Sequence, residues 1–163
     1  MKKIISLFAL CLLFCIAGFS QKDVSVQFNG TDSIQQTLQR FIDAWNIHDA
    51  KAFSMQFAED ADFTNVFGKS SKGRLEIEKF HTPLFSTIFK SSRQTIEDKK
   101  IRFIKPDVAA VDVWWGMTGA TYPDGKPWAD RKGLLNFIMM PQKNETWVIV
   151  VMHNMDLPQI PPK

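Results

Sequence analysis

The sequence predicts an α+β fold in which helices precede a long run of strands. Two observations lead to this prediction. Between residues 31 and 89 the apolar residues recur at helical spacing, whereas beyond Ser92 they alternate with polar residues, as is typical of strands. Turn-forming residues separate four alternating segments in this second half, so we expect these segments to form an antiparallel sheet.

The first 20 residues predict a secretory signal peptide. Two lysines precede an apolar run at positions 4–19, and Gly18-Phe19-Ser20 supplies small residues where a signal peptidase cuts. The run is shorter than the ~18 apolar residues that indicate a membrane span. Cleavage before Gln21 would leave 163 − 20 = 143 residues: a lead-in at 21–30, one domain at 31–157 and a tail at 158–163. We therefore expect an exported protein, periplasmic or secreted.

The two cysteines, Cys11 and Cys15, both lie inside the predicted signal peptide. The mature chain would then have no disulfide, thiol nucleophile or thiolate metal ligand. Bulky Leu10 and Phe14 precede the cysteines where a lipoprotein requires a small residue, so we expect export without lipidation. Removing the two lysines of the signal peptide lowers the net charge from 20 − 17 = +3 to 18 − 17 = +1. The composition therefore gives no reason to expect a nucleic-acid partner.

Two helices are predicted at the start of the mature chain. The first begins at the cap cluster 31–33, where Ser33 and Gln36 have capping-box spacing. Its apolar face comprises Ile34, Leu38, Phe41, Ile42 and Trp45. Asp49 is expected to cap a short second helix that runs through Phe53 and Phe57.

A third helix is predicted at residues 74–89, where Pro83 is expected to cause a kink or a break. Its apolar face comprises Ile77, Phe80, His81, Leu84, Phe85 and Ile88. Strands are predicted at 61–66, 95–104, 108–118, 132–140 and 147–155. Residues 68–73 are predicted to form a polar loop, 105–107 and 141–144 hairpin turns, and 122–127 a longer turn-rich excursion.

Several motifs along the chain resemble the nuclear-transport-factor-2-like superfamily, and within it the SnoaL-like branch of the SgcJ/EcaC type. The matching segments are Ala44-Trp45-Asn46-x-His48-Asp49-Ala50, residues 57–68, Gly73-Arg74, His81-x-x-Leu84-Phe85, Trp147-x-Ile149 and His153-Asn154. The resemblance implies a curved antiparallel sheet wrapped around N-terminal helices to form a cone with a pocket. It also implies a homodimer, since members of this superfamily commonly pair through the sheet. It does not specify a reaction.

Asn65 stands where the similar steroid isomerases keep their general base, an aspartate three residues before a glycine, here Gly68. An amide does not take up a proton at neutral pH, so the isomerase mechanism does not carry over. Asn65 is instead expected to hydrogen-bond either a ligand carbonyl or hydroxyl, or the neighbouring backbone. The tyrosine of the isomerases has no counterpart either, because the only tyrosine, Tyr122, lies in the turn-rich excursion.

Two histidines are the best candidates for catalytic residues. His81 lies on the apolar face of the third helix, so it is either a core residue with satisfied nitrogens or a pocket residue with a pKa near neutrality. His153 is in phase with Trp147 and Ile149 and is expected to share their buried side of the last strand, with Asn154 facing the other way. His48 is interpreted as a helix-terminal or solvated histidine.

The tryptophans indicate an aromatic core and pocket. Trp45 and Trp115 are predicted to line the pocket together with Asn65, His81 and His153. In the 108–118 strand, Trp115 shares one face with Val111, Val113 and Met117, and the sequence leaves open whether this face or the opposite one lines the cone.

Familiar cofactor motifs are missing from the sequence, so no cofactor is predicted. There is no Gly-x-Gly-x-x-Gly fingerprint, and Gly68-Lys69-Ser70 lacks the first glycine of a phosphate loop. The three histidines do not have metal-ligand spacing, so no metal site is predicted. The function predicted is an exported domain that binds a small apolar or aromatic molecule. The alternatives are acid–base lyase, isomerase or hydratase chemistry using His81 or His153, and a homodimerisation or partner-binding module.

Overall fold

The computed structural model describes residues 30–158, which form three helices and a six-stranded sheet. In chain order the elements are α1 (Gly30–Asn46), α2 (Ala50–Ser54), β1 (Phe57–Thr64), β2 (Ser70–Lys72), α3 (Arg74–Ser86), β3 (Arg93–Lys105), β4 (Val108–Thr118), β5 (Arg131–Pro141) and β6 (Trp147–Asp156). The predicted signal peptide, its cysteines and the last five residues lie outside this range. Among the residues described, no helix is long and apolar enough to cross a membrane.

The sheet is curved and open, with the strand order β2-β1-β6-β5-β4-β3. Strands β3 to β6 form an antiparallel meander joined by the predicted turns, and β1 pairs with β2 antiparallel. The predicted α+β class is thereby confirmed. One pairing was not predicted: β1 lies parallel to β6, which follows it by more than 80 residues.

The long helix α1 packs its predicted apolar face into the core, where Ile34, Leu38, Phe41, Ile42 and Trp45 are all buried. The rings of Phe41 and Phe137 of β5 lie 5.6 Å apart in an edge-to-face contact. Thr37 ties the helix to the sheet, because its hydroxyl donates to the carbonyl of Trp147 at 2.6 Å. The side chain of Asp49 accepts a hydrogen bond from the Ala52 amide at 2.8 Å, which confirms the predicted cap of α2.

Three local predictions were wrong because tertiary pairing took precedence over local pattern. Ser33 lies inside α1 rather than at its cap, and its hydroxyl accepts from the Trp147 amide at 3.1 Å. Phe57 begins β1 instead of ending α2, since the preceding carbonyl of Gln56 already accepts from Ile149 of β6. Residues 70–72 of the predicted polar loop form β2, which pairs with β1.

Helix α3 continues through Pro83 and ends at Ser86, three residues before the predicted end. The hydroxyls of Ser86 and Thr87 both donate to the Pro83 carbonyl. The start of the helix is held to β1, because Arg74 donates from Nε and Nη2 to the Phe57 carbonyl at 3.0 and 2.6 Å. Gly73 precedes it with φ of 81°, and a Cβ there would lie 2.9 Å from the carbonyl oxygen of Glu59.

A β-bulge in β6 reverses the side-chain alternation of this strand. Met139 pairs with Ile149 and Ile138 pairs with Val151, which leaves Val150 as the extra residue. Trp147 and Ile149 therefore face the core before the bulge, and Met152 faces it afterwards.

Candidate functional site

An open cavity of about 290 Å³ lies between the helices and the concave face of the sheet. Nine of its 21 lining residues are aromatic. The helices and the turn after α3 contribute Phe41, Trp45, Phe53, Phe80 and Phe89. The sheet and its connections contribute Phe63, Phe67, Trp115 and Trp128. The polar lining residues are Asn65, Lys69, His81, Gln94, Arg131 and Asn154.

Four of the five residues predicted to line a pocket do so: Trp45, Asn65, His81 and Trp115. His153 does not, because the bulge at Val150 turns it to the exposed outer face. The inward position is taken by Asn154, which was expected to face the other way. His81 and His153 consequently do not converge on one site.

The face of β4 that lines the cavity is the one carrying Val111, Val113, Trp115 and Met117, all of which are buried. On the opposite face, Asp112 accepts a hydrogen bond from the Asn136 amide at 2.6 Å. The sequence left open which face of this strand lines the cone, and the structure shows that it is the face of Trp115.

His81 is 3% exposed and is enclosed by aromatic rings. The ring centroids of five neighbours lie between 4.5 and 6.2 Å from its own: Phe53, Phe63, Phe80, Phe85 and Trp45. Burial in this apolar surrounding lowers the pKa of His81 to about 4, and the hydrogen bond to Ile77 opposes the shift only in part. Of the two alternatives for His81, the lowered pKa speaks against a pocket residue with a pKa near neutrality, because no neighbouring charge stabilises the imidazolium.

The protonation state of His81 follows from its one hydrogen bond. Nδ1 lies 2.7 Å from the Ile77 carbonyl oxygen, which can only accept, so Nδ1 carries the proton. Nε2 is then the unprotonated ring nitrogen at neutral pH, and its lone pair accepts hydrogen bonds. His81 can accept a hydrogen bond from a ligand, but it is a weak base and has no proton to give as an acid.

Asn65 directly follows β1 and organises the loop to β2. Its Oδ1 accepts from the amides of Phe67 and Lys69, both at 2.9 Å. Of the two roles expected for Asn65, the backbone role therefore describes Oδ1. Asn65 also lines the cavity, and these two bonds leave the donors of its Nδ2 unused.

Trp115 is fixed by two neighbours that the sequence analysis did not single out. Its indole Nε1 donates to Oδ1 of Asn154 at 2.9 Å. Gly133 of β5 lies opposite Trp115 in the sheet, and a Cβ on this glycine would collide with the indole ring. The absence of a side chain at Gly133 therefore makes room for one wall of the cavity.

Arg131 and Trp128 form a second wall that the sequence analysis missed. The guanidinium carbon of Arg131 lies 4.8 Å from the Trp128 ring centroid and 5.8 Å from that of Trp115. Its Nη2 donates to both carboxylate oxygens of Asp156 at 2.6 Å. The available signal was the position of Trp128 and Arg131 directly after the turn-rich excursion.

Gln94 is a further polar lining residue to which no sequence pattern pointed. Its backbone exchanges hydrogen bonds with the side-chain amide of Asn46, at 2.8 and 2.9 Å, which fixes β3 against the end of α1. The side chain is 5% exposed and lines the cavity, and its Oε1 has no partner within the described residues. An unpaired buried acceptor carries a desolvation cost that a ligand donor would remove.

Trp45 and His48 fasten the end of α1 to Ser92, the residue that precedes β3. The Trp45 indole donates to the Ser92 hydroxyl at 3.1 Å, and Nε2 of His48 lies 3.1 Å from the Ser92 carbonyl oxygen. His48 adopts a left-handed conformation, φ 58°, directly after α1, which confirms its interpretation as a helix-terminal histidine.

The ionisable side chains that line the cavity are Lys69, His81 and Arg131, and no carboxylate is among its 21 lining residues. Across residues 30–158, no group of three or more His, Cys, Asp or Glu side chains is arranged to hold a metal ion. The arrangement offers a large aromatic surface, two cations and a few uncharged hydrogen-bonding groups, a combination suited to binding a small organic molecule.

Comparison with solved structures places the fold among cystatin-like and nuclear-transport-factor-2-like proteins. An uncharacterised protein from Caulobacter vibrioides with a cystatin-like fold is 28% identical with a TM-score of 0.73, over 80% of this chain and 91% of its own. A domain of unknown function from Nostoc punctiforme is also 28% identical with a TM-score of 0.70, over 80% and 79%.

A nuclear-transport-factor-2-like protein from Salmonella enterica is 16% identical with a TM-score of 0.68, over 80% of this chain and 92% of its own, and supports the fold alone. No curated protein matches the sequence. The model of the SnoaL-like domain, however, matches residues 38–131, more than half of the chain. The protein therefore belongs to the SnoaL-like domain family, within the nuclear-transport-factor-2-like superfamily.

Proposed function

We propose that this protein binds a small, largely apolar or aromatic molecule in the cavity. The observation that supports the proposal most directly is the cavity itself, with about 290 Å³ of space beside nine aromatic side chains. At ~30 Å³ per water molecule this space corresponds to roughly ten waters, or to a compound of two fused aromatic rings. An empty cavity with this lining would lack the dispersion contacts and the burial of apolar surface that stabilise a packed core, and a bound apolar molecule would supply both.

The acid–base enzyme considered from the sequence receives less support. That mechanism needs a group near neutral pKa, and His81 has a pKa of about 4. The second candidate, His153, is exposed and outside the cavity lining. Binding without an acid–base reaction is therefore the function that we favour.

Two variants of α3 test the binding proposal. Leu84 lines the cavity, whereas Leu75 on the same helix is 70% exposed and outside it. We expect Leu84→Trp to fill the space and Leu75→Trp to leave it open. Native mass spectrometry of protein purified from its own host would measure the retained molecule. Loss of ligand from the Leu84 variant alone is expected, and equal retention by both variants would contradict the assignment of the cavity.

We also propose that the mature protein begins at Gln21 and is exported without a lipid anchor. The support is the Gly18-Phe19-Ser20 cleavage site and the bulky residues before both cysteines. N-terminal sequencing of protein from the periplasm or the medium tests this proposal. Diacylation of Cys15, or retention of the first 20 residues, would refute it.

A homodimer formed through the outer face of the sheet is proposed as the assembly. This face carries apolar residues that the helices do not cover, among them Trp114 on β4, Leu134 and Ile138 on β5 and Val151 on β6. Sedimentation equilibrium at micromolar concentration would measure the mass. A monomer that persists at these concentrations would contradict the dimer.

A further inference from the structure

We infer that the ligand is a hydroxyaromatic acid, whose acid group binds at Arg131 and whose hydroxyl donates to Gln94, while Lys69 adds positive charge to the same cavity lining. This inference rests on the proposed binding function and adds the chemical class of the molecule. The observations behind it are the charge of the cavity lining, the donors of Arg131 that Asp156 does not engage and the unpaired amide oxygen of Gln94.

The charge of the lining has one sign. Lys69 and Arg131 are the charged residues among the 21 that line the cavity, and His81 is neutral at pH 7. Nζ of Lys69 lies 5.4 Å from the centroid of the Phe80 ring, so a cation adjoins the aromatic lining. Asp156 offsets part of the charge of Arg131 from outside the lining, but no carboxylate lines the cavity itself. Charges beside an apolar, low-dielectric surface interact more strongly than they do in water, so the lining favours an anion over a cation.

Arg131 is held in place by its neighbours, and Asp156 engages only some of its hydrogen-bond donors. Its side chain is 17% exposed and packs on the rings of Trp128 and Trp115. Asp156 accepts from Nη2 only, which leaves Nε and Nη1 outside this ion pair. Asp156 does not line the cavity, so it fixes the guanidinium without occupying the space where a ligand would lie. Charge-assisted hydrogen bonds from a fixed guanidinium are the stronger kind in proteins.

Gln94 lies in the same row of the sheet as Arg131. Gln94 of β3 pairs with Met117 of β4, which pairs with Arg131 of β5, and all three line the cavity. Adjacent strands lie about 4.8 Å apart, so the backbones of Gln94 and Arg131 are about 10 Å apart. The register therefore places the two polar side chains in one row across the cavity, the arrangement that a bicyclic aromatic molecule with a polar group at each end would use.

The unpaired atom of Gln94 specifies the second polar group. Oε1 can only accept, and it is buried without a partner among the described residues. A hydroxyl or amino group on the ligand would supply the missing donor, whereas an apolar edge would leave the desolvation cost in place. His81 Nε2 is a second acceptor among the lining residues, and it adds to the preference for a ligand that carries a donor.

The test compares three probes by isothermal titration calorimetry at pH 7: 6-hydroxy-2-naphthoic acid, its primary amide, and 2-naphthoic acid. The first probe is expected to bind at least ten-fold tighter than either of the others. Arg131→Gln should remove the preference for the acid over the amide. Gln94→Leu should remove the preference for 6-hydroxy-2-naphthoic acid over 2-naphthoic acid. Lys69→Gln, at an exposed position, should weaken the binding of the acid but not that of the amide. Arg102→Gln is the control, because Arg102 is exposed on β3 outside the cavity.

The outcomes separate the two proposals. If the amide binds as well as the acid, or 2-naphthoic acid as well as its hydroxylated form, the ligand class is wrong and the binding function stands. If none of the three probes binds, the ligand class is wrong, and the binding function is decided by the mass spectrometry of the Leu84→Trp and Leu75→Trp variants. A similar loss of acid binding in the Arg102 variant would show that the effect is one of net charge, which also overturns the assignment to Arg131.

Discussion

Replacing His81 by phenylalanine should abolish the part of the loss of folding stability at acid pH that comes from protonation of this imidazole. The imidazole is almost fully buried among five aromatic rings, and no charged side chain contributes to the shift of its pKa. Phenylalanine keeps a planar ring in this space. The Ile77 carbonyl loses the Nδ1–H donor but keeps its helical hydrogen bond. We therefore expect the variant to fold, with a free energy of unfolding within about 1.5 kcal/mol of the parent at pH 7.

The size of the stability loss at acid pH follows from the pKa of His81. The imidazole has its ordinary pKa of 6.5 in the unfolded chain and about 4 in the folded protein. Between these values the unfolded state binds more protons, so the stability falls as the pH falls from 6.5 through 4. The difference of 2.5 pK units at 1.36 kcal/mol each makes a loss of about 3 kcal/mol, complete below pH 4. The His81→Phe variant lacks this loss.

Urea unfolding at several pH values between 7 and 4, followed by circular dichroism, measures the effect. Carboxylates titrate in both proteins and cancel in the difference between the two curves, so this difference should grow by about 3 kcal/mol toward pH 4 at constant m-value. His153→Asn, which removes an exposed imidazole, is the control. Parallel curves for parent and His81→Phe would show that water reaches the ring, and the neutral acceptor assigned to His81 would then be wrong.

Three further substitutions test other parts of the structure. Asn65→Asp should keep the loop, because a carboxylate accepts the same two amide donors. These donors hold its pKa low, so little or no isomerisation of a β,γ-unsaturated ketone should appear by ultraviolet absorbance. Robust isomerisation by the unmodified protein would refute this interpretation of the site. Gly133→Ala should push Trp115 from its position, lower the free energy of unfolding by about 1–3 kcal/mol and change the tryptophan fluorescence. Asp49→Ala removes the cap of α2 and should cost about 1 kcal/mol in urea unfolding, and an unchanged midpoint would contradict the cap.

The helical half of the fold could be predicted from the sequence because its signals are local. All five residues of the predicted α1 face are buried, and the apolar face of α3 divides between core and cavity: Ile77, His81 and Phe85 are buried, and Phe80, Leu84 and Ile88 line the cavity, as does His81. Trp45 and His81 could be predicted to line the pocket because helical periodicity places them on these apolar faces.

The sheet could be predicted only in part, because pairing and register are not local. The bulge at Val150 has no signature in the sequence, and it exchanges the expected positions of His153 and Asn154. The parallel pairing of β1 with β6 likewise joins segments that no turn connects. Gln94 and Arg131 stand near the start of their strands, and only the register of three strands brings them into one row.

The residues through which this chain resembles its family mostly build turns and joints. Asp49 caps α2, Gly73 supplies the positive φ before α3, Arg74 fastens α3 to β1, and Asn65 closes the loop after β1. These roles determine the shape of the cavity but not the chemistry of a ligand inside it.

The groups that would select a ligand, Arg131 and Gln94, lie outside those motifs. Family membership therefore carries over the fold and the existence of a cavity, while the ligand has to be inferred from the rows of side chains on the concave face. We expect relatives that keep the turn residues but differ at these two positions to bind molecules of different charge in cavities of similar shape.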